Sequence, residues 1–96
     1  FTFETLVGVN NKGIQVLMRT VEPDMLMVAL KGASPETQAR FFDNMSERAR
    51  GMFRDDMEAK GPQRMSDVEE AQKKIMRMAR QLSDSGELVL GGGDYV

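Results

Sequence analysis

Residues 46–60, Ser-Glu-Arg-Ala-Arg-Gly-Met-Phe-Arg-Asp-Asp-Met-Glu-Ala-Lys, hold the densest ionic chemistry of this chain, with four acids and four bases. The chemistry such a stretch offers is reversible ion pairing. On a helical wheel of about 100° per residue, Arg48 and Asp55 fall within about 20° of each other, two turns apart. Glu47, Arg54 and Glu58 continue that outward side. Ala49, Met52, Phe53 and Met57 spread from about 40° to 180° away from Arg48, and this arc is the expected buried face. Asp56 falls near 80°, inside the arc. A carboxylate buried there needs a cation. Arg64, just past the Gly61-Pro62 turn, is the expected partner.

Catalysis finds little footing. Asp55 and Asp56 are adjacent and diverge by about 100° on a helix, so they cannot flank one substrate atom. The chain has no Cys and no His, which removes thiolate chemistry, Cys/His zinc sites and Ser-His triads. Gly91-Gly92-Gly93 lacks the Lys-Ser/Thr and the following helix of a phosphate loop. Ser34, Ser46 and Ser66 read as helix caps. The sequence therefore points to no enzyme, no cofactor and no metal. A net charge of −2, from 13 basic and 15 acidic residues, lacks the basic surplus of a nucleic-acid or anionic-membrane binder. Three readings remain: an interaction module, a structural scaffold whose charged helix face is solvated and laced with i, i+3 and i+4 pairs, and a small helical nucleic-acid module. The acidic balance weighs against the last.

The elements that position these residues read as helices. Asn10-Asn11 can cap a helix with apolar positions Ile14, Leu17, Met18 and Val21, one face at i, i+3, i+4, i+7. Pro23 suits a first helical turn, and Met25 to Leu30 has no polar face, which predicts a short central helix ending at Lys31-Gly32. Ser34-Pro35-Glu36 starts the next helix, anchored by Phe41 and Phe42. The charged helix starts near Asn44 or Ser46 and stops at Gly61-Pro62. Ser66-x-x-Glu69 reads as a capping box opening the longest helix, with Val68, Ala71, Ile75, Met78, Ala79 and Leu82 on one stripe and Gly86 as the stop. Glu87 to Leu90 reads as extended, and Phe3 to Val9 as one further short helix. The sum is an all-α, compact bundle of five to six short helices. Only 6% of residues are aromatic, so the nine Met, with Leu, Val and Ala, are expected to fill most of the core. No apolar run approaches the roughly 20 residues that span a bilayer, and no signal peptide is visible. The chain opens on Phe1 rather than Met, as expected of a fragment of something longer.

Ala29-Leu30-Lys31-Gly32-Ala33, Asn44-Met45-Ser46-Glu47-Arg48-Ala49, Arg54-Asp55-Asp56 and Gly61-Pro62-Gln63-Arg64-Met65-Ser66-Asp67-Val68-Glu69 follow one another in order and at set distances. Together they resemble the C-terminal domain of the flagellar motor switch protein FliG, from Phe1 to about Leu90. The resemblance implies residues 1–3 as the remnant of a Met-Phe-x-Phe hinge (Phe1 and Phe3), 4–90 as a six-helix rotor subdomain whose armadillo-like neighbour is absent, and 91–96 as a flexible tail. It implies that Lys31, Arg48, Asp55, Asp56 and Arg64 face charged groups on the cytoplasmic loop of the stator protein MotA. It also implies a peripheral place in the flagellar basal body at the cytoplasmic face of the inner membrane, without membrane insertion or nucleic acid. Contacts with the switch protein FliM and neighbouring FliG subunits would run through the full-length protein. Reorientation of the domain at the hinge would set rotation sense in motility and chemotaxis. Arg50 and Gly51 depart from the family, which more often has a small residue followed by an acid.

Overall fold

The computed structural model describes residues 2–90. The hinge position Phe1 and the tail 91–96 lie outside the described residues. Six helices follow one another: a 3₁₀ helix Phe3–Gly8, then α1 Asn11–Thr20, α2 Pro23–Lys31, α3 Pro35–Phe42, α4 Glu47–Lys60 and α5 Met65–Asp84. The predicted all-α bundle is the observed one, with no strand among the described residues.

Local chemistry sets most of the ends. Asn10 Oδ1 accepts from Gly13 N at 2.8 Å to open α1. Ser34 Oγ accepts from Thr37 N at 3.2 Å to open α3, and Ser46 Oγ from Ala49 N at 3.1 Å to open α4. Pro23 and Pro35 occupy first turns, where the missing N–H is no loss. Gly61, at φ 70, closes α4 in a conformation that a side chain would strain. The predicted cap at Ser66 is displaced. The α5 helix starts at Met65, with Arg64 as the extended capping residue, and Val68 N donating to Arg64 O at 3.0 Å is its first internal bond. Ser66 therefore sits inside the first turn. Glu87–Leu90 is not extended either. Gly86, at φ 84, lets Gly86 N reach Ser83 O at 3.1 Å and Glu87 N reach Leu82 O at 2.8 Å, the paired bonds of a Schellman C-terminus. That turn buries Leu88.

The central helix is α2, which buries Leu26, Met27, Ala29 and Leu30. It packs chiefly on α5, which buries Val68, Ala71, Ile75 and Ala79 along the predicted stripe. Leu6, Ile14, Leu17 and Phe41 complete the interior, and the Phe3 ring stacks on Phe41 with centroids 6.4 Å apart and planes 4° from parallel. The methionines play a smaller part than composition suggests. Only Met27 is buried, while Met18, Met25, Met57, Met76 and Met78 pack around the aliphatic centre. Branched side chains with few rotamers occupy the middle, and flexible ones fill the shell around it.

The 3₁₀ helix is fastened to α3 by a contact with no local sequence signal. The Glu4 carboxylate accepts from Ser34 N at 3.1 Å, from Thr37 Oγ1 at 2.8 Å and from Ser34 Oγ. An acid at the N-terminus of a helix also meets the positive end of its dipole. The Ser34 hydroxyl is the main reason that the Glu4 pKa lies below its ordinary 4.5; desolvation opposes it as the next-largest influence, and the Thr37 hydroxyl and Ser34 amide add to the lowering. The unfolded state then binds the proton more readily than the folded one. Glu4 stabilises the fold fully above pH 4.5, and the contribution is lost as pH falls from there through the folded-state pKa. The melting midpoint of Glu4→Gln is expected to fall less steeply than wild type on acidification from about pH 5 to 3. Equal slopes would remove this role from Glu4.

Candidate functional site

The charged helix α4 is a single unbroken element of 14 residues, and none of them is buried. Its attachment runs along one edge. Phe53 and Met57 are partly buried against the core. Phe53 meets Phe42 edge-on, with centroids 6.1 Å apart, and the Arg54 guanidinium lies 4.8 Å from the centroid of the same Phe42 ring. Lys60 Nζ lies 3.7 Å from Asp24 Oδ1, linking the end of α4 to the start of α2.

This attachment rotates the buried face away from the one expected. Ala49 and Asp56 are exposed, and Met52 is 59% exposed. The partly buried line is instead Arg50, Phe53 and Met57, about 60° round the helix from the predicted arc. Asp56 therefore needs no buried cation. The expected Asp56–Arg64 bridge is absent: among the described residues the one ion pair within 4.0 Å is Lys60–Asp24. Arg50, one of the two departures from the family pattern, leans inward, with its Nε buried and unpartnered. Packing chose which of the apolar residues to use, and Phe53 and Met57 reach Phe42 and the core where Ala49 and Met52 do not.

Charges on α4 consequently divide into held and free. Arg54 rests on Phe42, Lys60 pairs with Asp24, and Arg50 is half-buried. Arg48 is exposed, and so are Glu47, Asp55, Asp56 and Glu58. No ion pair forms between residues of α4 itself within 4.0 Å. Of the other two site positions, Lys31 ends α2 and is half-buried. That helix end is fixed by amides from two neighbours: Gln72 Nε2 donates to Ala29 O at 2.9 Å and Gln38 Nε2 to Leu30 O at 2.7 Å. Ala29 O and Leu30 O also accept from Gly32 N and Ala33 N, so each amide adds a second bond to its carbonyl, and the sequence reading missed both. Arg64, exposed, precedes α5. The fold thus gathers Arg48, Asp55 and Asp56 on one helix and leaves Lys31 and Arg64 at the ends of two others.

Gly51 lies in the middle of α4, exposed, with nothing within 4 Å of where a Cβ would stand. Gly51→Ala is expected to stabilise the domain by about 0.8–1 kcal/mol through helix propensity alone. A thermal midpoint raised by about 4–8 °C would register it, and an unchanged midpoint would contradict it.

A surface groove of ≈ 420 Å³ runs beside Phe3 along Gln72, Lys73, Met76 and Arg77 of α5. Among the described residues no cluster of three or more acids could hold a metal, and no helix is long and apolar enough to cross a membrane.

Residues 1–90 match the family model described as the FliG C-terminal domain. The flagellar motor switch protein FliG of Vibrio cholerae is 52% identical over 93 residues, which are 97% of this chain and 27% of that protein. FliG of Pseudomonas aeruginosa is 50% identical over 92 residues, 96% of this chain and again 27% of the relative. A crystal structure of H. pylori FliG superposes with a TM-score of 0.91 at 32% identity, covering 95% of this chain and 40% of that one. The full-length Aquifex aeolicus FliG structure gives 0.87 at 37%, covering 90% of this chain and 27% of that one. The chain therefore spans about a quarter of the length of these curated relatives.

Proposed function

Because the chain belongs to the FliG C-terminal domain family, we propose that it is the part of a flagellar motor switch that meets the stator, with a mechanical rather than a catalytic role. Arg48, Asp55 and Asp56 are the stator-facing charges of α4, and Lys31 and Arg64 extend the set. The partner is the cytoplasmic loop of MotA, which carries charges of both signs. FliM and neighbouring FliG subunits bind elsewhere on the full-length protein, which sits at the cytoplasmic face of the basal body. Residues 4–90 move as the rotor subdomain, and a hinge ahead of them sets rotation sense. Phe3 is buried against Phe41, which favours a joint whose bending lies before Phe3.

One observation carries the reading: Arg48, Asp55 and Asp56 are exposed and unpaired on a helix with no buried residue. A face present only for solubility would be expected to pair internally at i, i+4. No such pair forms within α4 at 4.0 Å or less. Exposed ion pairs add little affinity but steer encounter and register, which suits a contact that must break as often as it forms.

In the full-length protein, Arg48→Glu with Asp55→Lys is expected to stop or slow rotation, and opposite reversals in the stator loop to restore it. Such surface changes alter stability by no more than about 0.5 kcal/mol, so unfolding would not explain a loss. Normal torque from Arg48→Ala/Asp55→Ala/Asp56→Ala would return the domain to the scaffold reading.

A further inference from the structure

The α4 helix carries a large apolar side chain that the fold does not use. Met52 is 59% exposed. Its neighbours on the helix surface, three and four residues away, are Arg48, Ala49, Asp55 and Asp56. All four are exposed, and the three ionic ones have no ion-pair partner within 4.0 Å among the described residues. A single exposed apolar residue is ordinary. This one is enclosed by unpaired charges of both signs, with the small Ala49 leaving its other flank open.

That arrangement has the anatomy of a contact centre. Interfaces take their affinity from a few central apolar anchors, while a polar rim gives register. Exposed ion pairs alone would give α4 very little grip. The geometry points to Met52 as the apolar anchor of the α4 contact, and to a partner segment of matching chemistry. Arg48 and Asp55 are seven residues apart, about 10 Å along the axis. A partner helix with an acid and a base seven residues apart spans the same rise. An aliphatic or aromatic residue midway between them would land on Met52. The inference rests on the reading of α4 as stator-facing, and it names the kind of stator-loop segment that α4 takes. A methionine is suited to a partner arriving in successive orientations, because its unbranched chain repacks easily.

The test uses the full-length protein in cells, reading motor torque at high load, with the melting midpoint of the purified full-length protein beside it. Gln is close to Met in length and helix propensity, and Leu keeps the apolar character. Met52→Gln is expected to weaken the contact roughly tenfold and to lower torque, with the midpoint unchanged. Met52→Leu is expected to keep torque near wild type. Wild-type torque in Met52→Gln, beside a loss in Arg48→Ala/Asp55→Ala/Asp56→Ala, overturns the anchor and leaves the stator-facing reading standing. Wild-type torque in both sets overturns both. A lowered midpoint in both Met52→Gln and Met52→Leu assigns Met52 to the fold and overturns the anchor.

Discussion

Phe41→Ala is expected to remove about 3–5 kcal/mol of folding stability, out of the roughly 5–13 that a domain of this size holds. Phe41 is 0% exposed and lies parallel to the Phe3 ring at 6.4 Å. Truncation leaves a cavity that its neighbours cannot easily close, because Leu6, Ile14 and Leu17 are themselves fully buried. It also takes away the surface that holds Phe3. Phe41→Leu keeps most of the volume and is expected to lose less than Phe41→Ala. Equilibrium unfolding in denaturant would measure both, and a loss under about 1 kcal/mol for the alanine variant would mean that the ring is not a core element.

Gly32→Ala is the second large effect, expected to cost about 1–3 kcal/mol by overpacking. A Cβ on Gly32 would stand 2.5 Å from Val68 Cγ1 and 3.2 Å from Gln72 Nε2. Valine is stiff about χ1 and is buried on α5, so the clash would push α2 and α5 apart. It would also disturb the Gln72–Ala29 bond that fixes the helix end beside Lys31. Val68→Ala should relieve the contact. In a double-mutant cycle the pair is expected to couple by more than about 0.5 kcal/mol, with the double variant less damaged than the sum of its singles. Strict additivity would contradict the close approach.

The residues that were legible in the sequence are those whose structural reasons are local. Asn10, Ser34 and Ser46 cap helices through bonds that reach only three residues ahead, and the apolar stripe of α5 follows from a regular 3.6-residue period. The Ser66 box failed for a related reason. A capping signal competes with the turn that delivers the chain, and the segment after Gly61 delivers it into helix two residues early. The α4 face was misphased because five apolar residues spread around a largely polar helix allow more than one packing, and the choice was made by Phe42, which lies outside α4. Glu4 with Ser34, and Gln72 with Ala29, join residues 30 and 43 positions apart. No period or spacing encodes those pairs. The charged residues themselves were legible, since exposure is the default for Arg and Asp. Which of them the fold would hold and which it would leave free was not.

A helix held to the core along one edge only, by Phe53 and Met57, separates two kinds of inheritance. Substitutions at Arg48, Met52, Asp55 or Asp56 leave the domain's folding nearly untouched, so this surface can change sequence at the pace of whatever it meets. The interior of α2 and α5 has no such freedom. Descendants of this chain can therefore change the match on α4 by single steps that each leave the domain folded.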